Sequence, residues 1–144
     1  MKDFNKVFLD TAPLIYFLNA NSDFRPKMTY ILSCLTKNNS SLVTSVVTCA
    51  EYLVHPYRQK NIGAVTAFWQ FLYDADVYIF NIDNDVADKA AQIRAEYVNI
   101  KAFDAMQLAC ACCKNCDIFL TNDKQLRQFS EINCITVEEW EYAG

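Results

Sequence analysis

Short apolar runs recur along this chain at wide intervals: Val7-Phe8-Leu9, Leu42-Val43-Thr44, residues 77–80, Ile118-Phe119-Leu120 and residues 134–137. Between them lie longer segments whose apolar residues fall at helical spacing, such as Met28, Ile31, Leu32 and Leu35, or Val86, Ala90, Ile93 and Tyr97. Short apolar strands alternating with helices imply a parallel sheet covered on both faces, an α/β architecture. The strands are expected over 6–9, 42–44, 77–80, 118–120 and 134–137. Pro13 suits the first turn of a helix over 13–18, with Thr11 or Ala12 near its cap, and Pro26 starts a helix over 26–37. Ser45 or Thr48 caps a helix that carries Glu51 and ends before Pro56. Further helices are expected over 61–73, from Asp83 or Asn84 to 97, over 104–114 and briefly over 124–129, with a last helical turn over 138–142. The 144 residues read as one domain, 1–144, and 53% hydrophobic content with only two glycines and three prolines favours regular elements over disorder.

Four acidic residues interrupt or end these apolar segments: Asp10 after the first strand, Glu51 within a helix, Asp104 at the start of the most apolar helix, and Asp123 after the fourth strand. A carboxylate in such a setting carries a desolvation cost and calls for a partner. In open parallel sheets ligands bind beyond the carboxyl ends of the strands at the switch point. Asp10 and Asp123 meet there if their strands are neighbours, and helix starts bring Glu51 and Asp104 to the same edge. Two unit charges about 4 Å apart repel by about 4 kcal/mol at an effective dielectric near 20. Four gathered carboxylates therefore need compensation, and Mg²⁺ or Mn²⁺ supplies it, since hard cations take oxygen ligands.

The stretches Phe8-Leu9-Asp10-Thr11 with Leu14-Ile15, Thr44-Ser45 leading to Glu51, Asp104-Ala105-Met106-Gln107-Leu108-Ala109, and Leu120-Thr121-Asn122-Asp123 together resemble the PIN-domain nucleases, most of all the VapC-type toxins of prokaryotic toxin–antitoxin pairs. The resemblance covers almost the whole chain in the family's order. It implies a single PIN-like domain with a five-stranded parallel sheet in the order 3-2-1-4-5 and helices on both faces. It implies a metal-dependent endoribonuclease whose catalytic and metal-binding quartet is Asp10, Glu51, Asp104 and Asp123. Asp10 and Asp104 would be the principal ligands. Thr11 is an auxiliary polar residue, and the family's polar position at the last motif falls on Thr121 or Asn122. The partners implied are RNA, a small antitoxin protein and a second copy of the chain in a homodimer. A housekeeping RNA-processing nuclease of the same fold and a non-catalytic binding module are the competing readings.

The net charge of −4 makes a poor generic binder of nucleic acid, so contact with RNA must be local. Lys124 and Arg127, directly after Asp123, are the candidate RNA contacts among basic residues that otherwise read as solvated charge. Seven cysteines, an odd count without a spaced framework, and a polar N-terminus point to a reducing cytoplasm. No uncharged run reaches the ~18 residues of a membrane span. Cys110, Cys112, Cys113 and Cys116 crowd one helix and its end and read as core residues rather than zinc ligands. His55, the only histidine, reads as a helix-end residue and rules out catalysis by a Ser-His-Asp or Cys-His arrangement. No glycine-rich phosphate loop is present, and Asp10-Thr11-Ala12 lacks the second aspartate of a dehalogenase-type phosphatase and the acidic pair of a receiver domain.

Overall fold

A computed structural model describes residues 4–141. Five strands, β1 (Lys6–Leu9), β2 (Ser41–Ser45), β3 (Tyr78–Phe80), β4 (Ile118–Thr121) and β5 (Asn133–Thr136), form one all-parallel sheet in the order β3-β2-β1-β4-β5. The helices are α1 (Thr11–Leu18), α2 (Arg25–Lys37), α3 (Val46–Tyr52), α4 (Val54–Arg58), α5 (Ile62–Asp74), α6 (Asn84–Glu96) and α7 (Ala102–Cys113), with a 3-10 helix over Lys124–Gln128. The architecture and strand order are those expected from the sequence.

The central strands β1 and β4 owe their continuous apolar runs to burial from both sides. Phe8 and Phe119, stacked at 5.1 Å, join Val43 and the apolar faces of α6 and α7 in one core. Val7, Leu9, Leu42, Ile118 and Leu120 point the other way, into a second core with Leu14, Met28, Ile31 and Phe68. The two-residue period of a strand thus sorts neighbouring side chains into two hydrophobic layers. At the far end of the sheet, Asp117 accepts the N–H groups of Asn5 and Lys6, both at 2.9 Å, and fastens the start of β1.

The helix bearing Glu51 stops at Tyr52, before Pro56 as expected, and the chain then re-enters a short helix in which Pro56 holds the third position, where its missing N–H leaves no bond unmade. The expected helical turn over 138–142 is absent as such. Residues 137–139 form a turn in which Glu139 N–H bonds to the Thr136 hydroxyl at 3.1 Å; Tyr142 lies outside the described residues. A Thr hydroxyl that captures a backbone N–H in this way competes with helix formation.

With so few glycines, the left-handed position that closes a helix falls to other residues. Asn39, Lys60, Asp76 and Asn115 take φ of 55°, 54°, 54° and 58° just after α2, α4, α5 and α7. Each is followed by an N–H reaching back across the helix end, Ser40 to Leu35, Asn61 to Pro56, Val77 to Leu72 and Cys116 to Ala111. Asn and Asp tolerate this conformation, whereas a lysine meets the steric cost in full. Lys60→Gly is therefore expected to stabilise the protein by about 1 kcal/mol. Urea unfolding checks this, and an unchanged or lowered midpoint contradicts it.

Candidate active site

The strand order makes β1 and β4 neighbours, and the ladder continues one step past β1, where Asp10 N–H bonds to Leu120 O at 2.9 Å. Asp10 is thereby fixed beside Thr121 at the carboxyl edge of the sheet. It is only 8% exposed and caps α1, accepting the Thr11 N–H on Oδ1 at 2.8 Å. Thr11 stands next to that cap, as expected, and begins the helix, and its hydroxyl donates to Glu51 Oε1 at 2.8 Å. Thr121 donates its hydroxyl to Asp10 Oδ2 at 2.8 Å while accepting the Asp123 N–H at 3.2 Å. Asn122 turns elsewhere, its amide donating to the Tyr16 hydroxyl at 2.5 Å, with Oδ1 buried and unpartnered.

Asp104 stands in the first turn of α7, half-buried. Burial raises its carboxyl to about 6, reinforced by the negative charges of Asp10 and Asp123 and opposed by Lys101. Burial also pushes Asp10 up, the bonds from Thr121 and Thr11 pull it back, and the charge of Glu51 raises it. These couplings link all four acids: Asp104 feels Asp10 and Asp123, and Asp10 feels Glu51. Glu51 and Asp123 are the exposed members, and Asp123 caps the 3-10 helix through Gln125 N–H at 3.0 Å.

Beneath the acids lies a polar residue whose role the sequence did not announce, Gln107. Gln107 lies one turn after Asp104 on α7 and is fully buried. Its amide N–H groups donate to Thr48 at 2.5 Å and to Asp10 Oδ1 at 3.3 Å, and its carbonyl oxygen accepts the Ser45 hydroxyl. Ser45 also caps α3 through Val47 N–H, and Thr44 donates to Leu9 O at 2.7 Å. The signal was a glutamine within the apolar run from Ala105 to Ala111, since a buried amide must find partners. A carboxylate has about four acceptor positions; Asp10 has three filled by donors, which leaves one on Oδ2.

No three Asp, Glu, His or Cys side chains among the described residues are placed to hold one metal ion. The chemistry of the donor set nonetheless suits a hard divalent cation, because it offers only carboxylate oxygens and their repulsion at Asp104 is the load a cation relieves. Glu51 is held by the Thr11 hydroxyl and Asp123 by a backbone N–H, contacts that exposed side chains exchange readily. The cysteines take no part. All seven are free, and burial pushes Cys110, Cys116 and Cys134 to about 12 and Cys112 to about 11. Cys113 is exposed, unlike the core position expected of it, and His55 is exposed on α4. Lys124 and Arg127 flank the site but are paired with Glu138 and Glu139.

The protein is of the α/β class, a parallel sheet with four electrostatically coupled carboxylates at its carboxyl edge. The PIN-domain family profile matches residues 7–132, and the chain belongs to that family. Its fold is that of the VapC-type toxins. It is similar to VapBC2 from Rickettsia felis bound to a promoter DNA fragment, with TM-score 0.76 and 16% identity over 91% of this chain and 98% of that one. A toxin–antitoxin complex from Klebsiella pneumoniae gives TM-score 0.73 and 22% identity, covering 93% and 99%. VapC20 of Mycobacterium tuberculosis, a toxin that cleaves the sarcin–ricin loop, gives 0.68 and 17%, covering 88% and 98%. No curated protein matches the chain by sequence.

The raised Asp104 carboxyl has a thermodynamic sign. The folded state binds that proton more tightly than the unfolded state, so its contribution favours folding below about pH 4 and turns unfavourable as pH rises through about 6. Without metal, Asp104→Asn is expected to exceed the wild type in stability at pH 7.5 and to lose that advantage near pH 4. Urea unfolding at the two pH values tests this; a variant less stable at pH 7.5 refutes the coupling.

Proposed function

We propose that the chain is a metal-dependent endoribonuclease acting as the toxin of a toxin–antitoxin pair. The observation that carries this reading is the gathering of Asp10, Glu51, Asp104 and Asp123 at the carboxyl edge of a PIN-family sheet, close enough for their charges to be felt at Asp10 and Asp104. A cluster that repels itself in the empty state is one in which cations can be held and then put to use. Asp10 and Asp104 would hold Mg²⁺ or Mn²⁺, with Glu51 and Asp123 completing the set. The bound cation supplies positive charge to the phosphodiester and acidifies water. Thr121 and Gln107 hold Asp10 still and leave one acceptor position on Oδ2 free for a cation. In hydrolysis, water would add at phosphorus and pass its proton to a carboxylate of the cluster, the P–O bond to the departing ribose oxygen would break, and that oxygen would take a proton from solvent water.

The toxin reading is supported by the neighbouring structures that are themselves toxin–antitoxin complexes. An antitoxin is the expected partner, inserting an Arg or Lys among the carboxylates in place of a cation. A homodimer is the expected assembly. Large apolar side chains are exposed on α4 and α5, among them Tyr57 at 55%, Ile62 at 62% and Tyr73 at 82%, which suits protein partners. Phe68, by contrast, is core. Among the described residues no helix is long and apolar enough to cross a membrane.

Purified protein is expected to cleave RNA with Mn²⁺ or Mg²⁺, and Asp10→Asn and Asp104→Asn to lower the rate on the order of 10²-fold or more. Circular dichroism and unfolding midpoints verify that both variants fold. Either metal should also raise the melting temperature of the wild type by linkage. Cleavage surviving both substitutions, or a melting curve indifferent to millimolar metal, removes the assignment. Growth arrest relieved by a co-expressed neighbouring gene distinguishes a toxin from a housekeeping nuclease.

A further inference from the structure

Two cations outside the carboxylate cluster share an open groove of about 680 Å³ with three amides: Lys124 and Arg127 with Asn99, Gln125 and Gln128. The groove runs between the 97–101 segment, which leads into α7 and Asp104, and the 3-10 helix that directly follows Asp123. Its lining residue Lys124 directly follows Asp123 in the chain, and every lining side chain carries donors for phosphate oxygen. Both cations already have carboxylate partners. Lys124 Nζ lies 3.6 Å from Glu138 Oε2, and Arg127 Nη1 bonds to Glu139 Oε2.

The Glu139 carboxylate is held from behind, and so is the backbone of Glu138. Thr136, fully buried at the end of β5, donates its hydroxyl to Glu139 Oε1 at 2.6 Å and accepts the Glu139 N–H. The Glu138 carbonyl accepts Lys27 Nζ from α2 at 2.5 Å. The turn after β5 thus presents two acids to two cations across the rim of the groove.

We propose that this groove is the track for the RNA phosphates next to the cleaved bond, and that Glu138 and Glu139 are built-in competitors which those phosphates displace. The proposal rests on the ribonuclease reading above. Exchange of a carboxylate for a phosphate leaves each cation paired, so binding strands no positive charge. A ligand offering two phosphates at once displaces both acids together, which favours a nucleic-acid strand over free anions. The arrangement also fits a chain of net charge −4, whose attraction for RNA has to be confined to one place.

Fluorescence anisotropy with a labelled single-stranded RNA in EDTA reads binding apart from cleavage. K124A/R127A is expected to weaken binding on the order of tenfold and to flatten the dependence of log K on log salt by about 1.4, or about 0.7 per phosphate contact. E138Q/E139Q is expected to tighten binding by about 2- to 5-fold. D85N/D88N is the control for net charge, because α6 begins beside the end of α7, where Cys113 Sγ lies 3.9 Å from Asp85 O, far from the groove at the start of α7. Wild-type affinity in K124A/R127A overturns the proposal. So does an E138Q/E139Q protein that binds no more tightly than D85N/D88N, including one whose only change is a lower melting temperature, since the pairs are then structural clips. A protein whose RNA affinity responds as stated yet never cleaves RNA loses the nuclease reading and keeps the groove.

Discussion

The carboxylate of Asp10 is where the layers of this molecule meet. It ends the central strand and starts α1 on one face of the sheet. It takes a hydrogen bond from Gln107 of α7 on the other face and another from Thr121 at the end of β4. Moving a charged carboxylate out of water costs several kcal/mol even after relaxation. Hydrogen bonds to a charged group contribute about 1.5–3 kcal/mol each, so three donors offset much of that cost. Any displacement of α1, α7 or β4 relative to β1 forfeits part of this compensation. Asp10 therefore fixes the mutual placement of both helical layers at the edge where the other acids gather.

The same logic explains the polar seam beneath it. Thr44, Ser45, Thr48, Gln107, Thr121 and Thr136 are all fully buried, and all lie at or just beyond the carboxyl ends of strands, or on helices facing that edge. Apart from Asp10, the other buried residues are apolar side chains, cysteines and Trp140, so the buried hydroxyls and amide are concentrated near the acidic edge. Gln107 joins the seam because an amide has both donors and an acceptor, so one side chain answers the Ser45 hydroxyl, Thr48 and Asp10 together. A low-dielectric surrounding strengthens such a chain of bonds and makes each unmade one expensive. The seam therefore ties stability to the geometry of Asp10.

Sheet architecture and the acidic positions were legible in the sequence because each carries a local signature. Buried parallel strands are apolar runs, and an acid that ends such a run stands out. Helix ends were harder to read: with glycine scarce, Lys60 closes α4, and nothing about a lysine announces a left-handed backbone. The helix bearing Glu51 does end before Pro56, but the short helix that contains Pro56 carries no comparable signal. Gln107 was hidden within an apolar motif, and its partners come from residues 45, 48 and 10, which no local pattern connects. Between Thr121 and Asn122 the sequence offered no choice, because adjacent residues beyond a strand point in different directions. The fold turns Thr121 to Asp10 and Asn122 to Tyr16.

An acidic cluster beside a polyanion's track poses an electrostatic problem that couples the two halves of the proposed site. Without cations, Asp10, Asp104, Asp123 and Glu51 repel RNA as they repel one another. With cations in place the repulsion reverses, and phosphate oxygens add to what the carboxylates offer the metal. Linkage then requires reciprocity: RNA must raise the affinity for cations by the same factor by which cations raise the affinity for RNA. Lys124 and Arg127 lie on the other side of this balance. They attract phosphate whether or not metal is bound, and their pairing with Glu138 and Glu139 moderates that attraction. A groove that held RNA tightly against an unneutralised cluster would retain substrate it could not cut. On the proposed reading, partial cancellation of the groove's charge would make firm binding depend on the cations that hydrolysis would also need.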